Sequence, residues 1–170
     1  MNSNKNIVFL GMMGSGKSSI GNLVSKKLDI PFVDIDNLIE KYAGMSIAEI
    51  FEDNGESYFR NLEEKITLKS LKSKKSVIAL GGGGFINEKI RKEVLSNNLS
   101  FWLYLEDSIL LKRIKSSKKR PLAIKSSYQE IKQLIKKRSK IYSKAQFKIN
   151  CNKLTKTEIV KKVIKIYELN

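Results

Sequence analysis

Histidine is absent from this 170-residue chain, and cysteine occurs once, at Cys151. A lone cysteine has no partner for an internal disulfide. The missing histidine removes most zinc ligand sets and every Ser-His or Cys-His nucleophilic arrangement. No apolar run reaches about 18 residues, the length that would suggest a membrane span. The opening stretch, Met1 to Asn6, is short and polar, so no secretory signal is read there. The expectation is a soluble cytoplasmic protein. What is present is the composition of a folded globule, 41% hydrophobic and 29% charged, with enough chain for one domain and a sizeable core.

Acidic charge is also scarce, with 17 Asp and Glu against 33 Lys and Arg, giving a formal net charge of +16. Residues 1–85 are nearly balanced, 11 basic to 10 acidic, whereas residues 86–170 hold 22 basic and 7 acidic. Such a half suits polyanions, whether nucleotide phosphates or nucleic acid. Lysine as the filler of solvated helix faces explains it more simply, since 28 of the 33 are lysine and many, such as Lys132, Lys136, Lys137 and Lys140, fall in helical stretches. The five arginines, at 60, 91, 113, 120 and 138, then mark places where a planar, permanently charged fork is needed.

Short apolar runs alternate with helical periodicity. Strands are expected at Asn6–Leu10, Pro31–Ile35, Ser76–Leu80, Ser100–Leu105 and 146–151, with helices between them and a capping box at Ser46-x-x-Glu49. Residues 116–126 lack periodicity and read as a mobile loop. The alternation predicts an α/β domain with a parallel sheet spanning residues 1–170.

Gly11-Met-Met-Gly-Ser-Gly-Lys-Ser18 fits the P-loop pattern G-x-x-x-x-G-K-[ST], between a strand and an amphipathic helix. Gly11, Gly14 and Gly16 let the loop curl so that its amides, with those of Ser15 and Ser19, converge on phosphate oxygens. Lys17 supplies mobile positive charge, and Ser18 is a ligand for Mg²⁺. ATP with Mg²⁺ is the expected pair. Guanine-reading motifs fail: Asn152-Lys-Leu-Thr155 has threonine where an acid is required. The length suits a small-molecule kinase better than a motor or helicase.

Such a kinase needs an acceptor site. Asp34 and Asp36 close the second strand, and spacing of two in extended chain puts both on one side, facing the crevice at the carboxyl ends of the strands. Asp36 is the candidate to hold or deprotonate the hydroxyl, unless one of the pair merely caps the following helix. Gly81 to Gly84 ends the third strand without the usual Walker-B acid, leaving Asp34 as the supplier of a second magnesium contact.

These blocks, together with Ile47–Phe51, Gly55-Glu-Ser-Tyr-Phe-Arg60 followed by Glu63, Arg120-Pro-Leu122 and Arg138-x-x-x-Tyr142, resemble the shikimate kinase family in order and approximate spacing. The resemblance implies a three-layer, doubly wound, five-stranded parallel sheet of order 2-3-1-4-5, of the nucleoside-monophosphate-kinase type. A substrate-binding segment at about 36–62 and a lid at about 114–126 come with it. The implied activity is transfer of the ATP γ-phosphate to the 3-hydroxyl of shikimate, in aromatic amino-acid biosynthesis. No heptad seam or apolar surface stripe is legible, so a monomer is expected, needing neither membrane nor nucleic acid. Asp36 would hold the ring hydroxyls, Arg60 and Arg138 the carboxylate, and Gly82 a hydroxyl through its amide. Glu63 would steady Arg60, Arg120 would close on the phosphates, and Arg113 would stack on adenine. The chain departs from the pattern at 150–156, which lacks the arginine and proline that pack on adenine; Lys153 and Leu154 are the candidates there. A gluconate-type sugar-acid kinase is the enzymatic alternative, and a nucleic-acid-associated ATPase the alternative of another class.

Overall fold

Four consecutive apolar residues bounded by turn chemistry make a strand that is covered on both faces. In the computed structural model, which describes residues 5–73, 75–116 and 126–170, β1 (Ile7–Leu10) is such a strand, with no side-chain exposure at any position. The other strands are β2 (Phe32–Asp34), β3 (Val77–Ala79), β4 (Leu99–Tyr104) and β5 (Phe147–Asn150). They pair in the order β2-β3-β1-β4-β5, parallel throughout. Phe9, Phe101 and Phe147 line up across three strands, with ring centroids 5.9 and 5.1 Å apart.

The chain leaves β1 toward β2 and leaves β4 toward β5, so the connections diverge beside β1. In open α/β sheets that is where ligands bind, at the carboxyl ends of the strands. The helices are α1 (Lys17–Leu28), α2 (Ile35–Ala43), α3 (Ile47–Asp53), α4 (Gly55–Leu71), α5 (Glu88–Asn97), α6 (Asp107–Lys115), α7 (Tyr128–Tyr142) and α8 (Lys156–Glu168), with a 3-10 turn at Gly84–Ile86. The capping box at Ser46 and Glu49 starts α3, and the same device at Ser127 with Glu130 and Thr155 with Glu158 starts α7 and α8. Lys132, Lys136, Lys137 and Lys140 all lie on the solvated face of α7. No helix among the described residues is long and apolar enough to cross a membrane.

The far end of the sheet is closed by a buried polar knot. Asn6 donates to Leu71 O at 2.8 Å and Asn98 Oδ1 at 2.7 Å, and accepts from the Ser76 amide at 2.9 Å. Thr67 on α4 is the opposite case, fully buried with its hydroxyl unpaired among the described residues. A buried hydroxyl without a partner carries its desolvation cost uncompensated. Thr67→Val keeps the shape and removes that cost. It is expected to raise stability by about 1 kcal/mol, a rise in Tm of roughly 2–4 °C, read by thermal denaturation followed by circular dichroism.

Candidate active site

β1 runs directly into the phosphate loop. Gly11 has φ +139°, and a Cβ built there would stand 2.9 Å from the Leu103 carbonyl oxygen on β4. Only glycine lets the loop leave the sheet so close to its neighbour. The loop is tightened by the Ser15 amide donating to Met12 O at 3.1 Å. Lys17, at the first position of α1, folds its buried ammonium back onto Gly11 O at 2.9 Å and Met12 O at 3.1 Å. The Ser15 hydroxyl is buried and has no hydrogen-bond partner among the described residues. An orphaned hydroxyl inside a loop at a helix N-terminus is what a phosphate oxygen would satisfy. Ser18 is exposed and Ser19 half-buried. From α6, Arg113 donates to Gly14 O at 3.2 Å, tying that helix to the loop.

The two aspartates are not arranged as the extended-chain reading expects. β2 ends at Asp34, whose Oδ1 accepts from the Asn37 amide at 3.3 Å and caps α2. Asp36 therefore lies in the first turn of a helix, and the alternation that would put the two side chains on one side stops at the cap. Helical geometry carries Asp36 to the glycine run instead. A Cβ on Gly81 would lie 2.5 Å from Asp36 Oδ1 and 2.8 Å from Glu63 Oε1.

The same run gathers the arginines. A Cβ on Gly83 would lie 2.6 Å from Arg60 Nη1, and one on Gly82 would lie 3.6 Å from Arg138 Nη1 and 3.5 Å from the Met13 amide nitrogen of the phosphate loop. Side chains from α2, α4 and α7 thus meet the phosphate loop over three residues without side chains. Any substitution at Gly81 or Gly83 would push into that cluster.

Arg60 is held firmly. Its Nη1 donates to Glu63 at 2.8 Å, and its Nε and Nη2 both reach Glu56 Oε1 at 3.2 Å. Glu63 is buried, while Glu56 is exposed. Burial works against the charge on Arg60, but Glu63, ahead of Glu56, overcomes it and lifts the guanidinium above its ordinary pKa. The ring of Phe59 lies beneath the guanidinium at 5.1 Å, and Phe51 packs on Phe59 at 4.7 Å. Arg138 donates to Gly82 O at 3.2 Å and touches Met12 Sδ at 4.0 Å.

Four residues have supporting roles that the sequence alone does not assign, although Arg91 is one of its five arginines and Tyr142 closes the Arg138-x-x-x-Tyr142 block. Glu56 stands one helical turn before Arg60, a spacing that flags the pair in hindsight. Arg91 Nη1 donates to Phe85 O at 3.2 Å and Ile86 O at 2.9 Å, pinning the 3-10 turn after the glycine run. Glu64 receives Asn87 Nδ2 at 2.7 Å and Lys89 Nζ at 2.8 Å, which fixes the start of α5. Tyr142 donates its hydroxyl to Gly82 O. No local spacing reveals the contacts of the last three, because their partners are distant in sequence or lie in the backbone.

In the stretch after β5, Leu154 packs against the core and Lys153 is exposed. Asn152 ties this loop to the one after β4: its Oδ1 accepts from the Glu106 amide at 2.8 Å and its Nδ2 donates to Glu106 Oε1 at 3.2 Å. Cys151 is buried, and burial pushes its thiol up to about 11 against the pull of Arg113. Arg120 and most of the 114–126 lid expected from the sequence lie outside the described residues.

Comparison with known proteins places this geometry. Residues 13–168 match the family model for shikimate kinase. A shikimate kinase from Thermodesulfovibrio yellowstonii is 42% identical over 165 residues, 96% of this chain and 95% of its own length. The structure of shikimate kinase from Acinetobacter baumannii in complex with shikimate superposes with a TM-score of 0.92 at 28% identity, covering 99% of this chain and 96% of that one. The shikimate kinase from Aquifex aeolicus gives 0.86 at 39% identity over 96% of each chain. Likeness this strong in sequence and this complete in length leads to one conclusion: the chain belongs to the shikimate kinase family.

Proposed function

We propose that this chain transfers the γ-phosphoryl group of ATP to the 3-hydroxyl of shikimate, giving shikimate 3-phosphate and ADP. One observation carries the reading beyond family membership. Asp36, Arg60 and Arg138 converge on Gly81–Gly83, and that run lies against the Met13 amide of the phosphate loop. Shikimate has one carboxylate and three hydroxyls on a small ring. Arginine forks match the first, and an aspartate with exposed backbone amides matches the others.

In this reading Arg60 and Arg138 grip the carboxylate. Asp36 holds the ring hydroxyls and takes up or orients the proton of the attacking one. The amide of Gly82 donates to a hydroxyl, and Glu63 keeps the Arg60 fork aligned. Lys17 exchanges its contacts with Gly11 O and Met12 O for phosphate oxygens, and Ser15 acquires the acceptor it lacks. Phosphoryl transfer depends chiefly on positioning and charge stabilisation, which these groups supply. Arg113 faces the base, and Arg120 keeps the phosphate-closing role its sequence context suggests.

Magnesium fits the residues present. Among those described there is no cluster of three or more acidic or sulfur ligands. Mg²⁺ asks for less, taking one or two protein oxygens and completing its octahedron with phosphates and water. Ser18 and Asp34 would hold it, Asp34 keeping Oδ1 on the helix cap. Bound there, the ion neutralises charge on the phosphates.

The test is ADP release with Mg-ATP, comparing shikimate, gluconate, a DNA duplex and no addition. Turnover with shikimate alone is expected. Turnover with gluconate alone would keep the phosphate loop and reassign the acceptor pocket. Stimulation by DNA would make the basic second half part of the function.

A further inference from the structure

We propose that Tyr142 is a positioning residue for the acceptor: its hydroxyl locks the Gly82 carbonyl and thereby sets the Arg138 fork. The proposal rests on the reading of Arg138 and the glycine run as the acceptor site.

Tyr142 is buried at 2% exposure and heads the largest fully buried side chains. Its ring packs 6.1 Å from that of Trp102. A phenol this deep needs a partner for its hydroxyl, and it finds Gly82 O. The same oxygen receives Arg138 Nη1 at 3.2 Å. Residues 138 and 142 are one turn apart on α7 and share a face, so one helix delivers two donors to one carbonyl. A carbonyl oxygen offers two lone pairs, and here both are used.

The reason for such a clamp lies in the glycines. Every carbonyl of the run is engaged: Gly81 O by the Gly84 amide at 3.1 Å, Gly83 O by the Ile86 amide at 2.9 Å, and Gly84 O by the Asn87 amide at 3.2 Å. Those three are held by short local turns. Gly82 O alone is held by side chains. Its peptide joins two glycines, and with no Cβ on either side it can rotate at little steric cost. A rotated peptide would swing its oxygen away from α7 and withdraw one of the contacts that hold Arg138. The Tyr142 hydroxyl opposes that rotation. Arg138 cannot do so alone, because its guanidinium is also the group asked to meet a ligand.

The hydroxyl stays a donor under working conditions. Burial pushes its pKa up to about 12, with Arg138 pulling the other way. The clamp is therefore expected to act uniformly across neutral and mildly alkaline pH.

Tyr142→Phe keeps the ring and deletes the donor. Calorimetric titration with shikimate is expected to give a Kd about five- to tenfold weaker, the equivalent of one buried hydrogen bond. The Kd for Mg-ADP is expected to stay within twofold. Equal weakening of both ligands would indicate general loosening and overturn the proposal, as would an unchanged shikimate Kd. Arg138→Lys, which keeps the charge and loses the fork, completes a double-mutant cycle. If Tyr142 acts through Arg138, its substitution has a smaller effect in the Arg138→Lys background; strict additivity would overturn the transmission. An unchanged shikimate Kd in Arg138→Lys alone would instead show that the acceptor assignment of Arg138 has failed. The two failures are thus separable.

Discussion

Asp36→Asn is expected to lower kcat with shikimate by about 10²–10⁴-fold, the range in which a positioned acid or base contributes. Asparagine preserves the size of the side chain and can still hydrogen bond a ring hydroxyl, but it cannot accept the proton. The position is crowded, since Asp36 Oδ1 and Glu63 Oε1 both lie within 2.8 Å of the point a Gly81 Cβ would occupy. Glu63, the other acid at this run, is committed to Arg60 at 2.8 Å, so there is no evident substitute. Binding of Mg-ADP should be unchanged, because the groups that meet its phosphates, Lys17 and Ser15, belong to the phosphate loop. Single-turnover and steady-state assays distinguish the roles. A drop of tenfold or less would make Asp36 a positioner of hydroxyls, with transfer driven by charge stabilisation alone.

Arg60→Ala has two expected consequences. Shikimate binding should weaken by about 100-fold, since a charge-assisted fork contributes up to about 3 kcal/mol and each 1.4 kcal/mol or so is tenfold in affinity. Stability should fall as well. Glu63 is only 3% exposed and its ion pair with Arg60 is 2.8 Å long, so the substitution strands a buried carboxylate. Breaking a buried pair costs about 3–5 kcal/mol, and the lower figure applies here because Arg60 itself is more than a third exposed. About 3 kcal/mol corresponds to a fall in Tm of roughly 6–12 °C for a chain of this size. Arg60→Lys separates the effects: an ammonium near Glu63 restores much of the stability, whereas the loss of planar bidentate geometry leaves the KM for shikimate raised. If Arg60→Ala removed ATP binding while sparing shikimate, the division of the pocket would be wrong.

The phosphate loop was legible in the sequence because every part of its chemistry is local. Glycines, lysine and serine stand within eight positions of one another, between a buried strand and a helix. Four of the five strands were legible for a related reason, as short apolar runs ending in glycine or acid; the fifth, at 146–151, alternates instead and is followed by asparagine. The ends of all five differ from the structure by no more than one residue.

The aspartates show where local reasoning stops. Alternation is a property of extended chain, and nothing in Val33-Asp-Ile-Asp36 says where extension ends. It ends when the Asp34 carboxylate finds the Asn37 amide. The capping reading, weighed against the paired-acid reading, fits Asp34, and Asp36 joins the cluster at the glycine run.

By itself, then, the sequence determined the phosphate loop, the alternating α/β layers and the scarcity of arginine that made each one informative. Resemblance to a family supplied the strand order, and the pairing agrees with it. Only the tertiary structure decided how residues from α2, α4 and α7 meet over Gly81–Gly83, and that Glu63 is buried under Arg60 while Tyr142 and Arg138 share the Gly82 carbonyl. The reason is physical. Loop and strand chemistry is written in neighbours a few residues apart, whereas an acceptor site is assembled by packing that brings together residues more than a hundred positions apart.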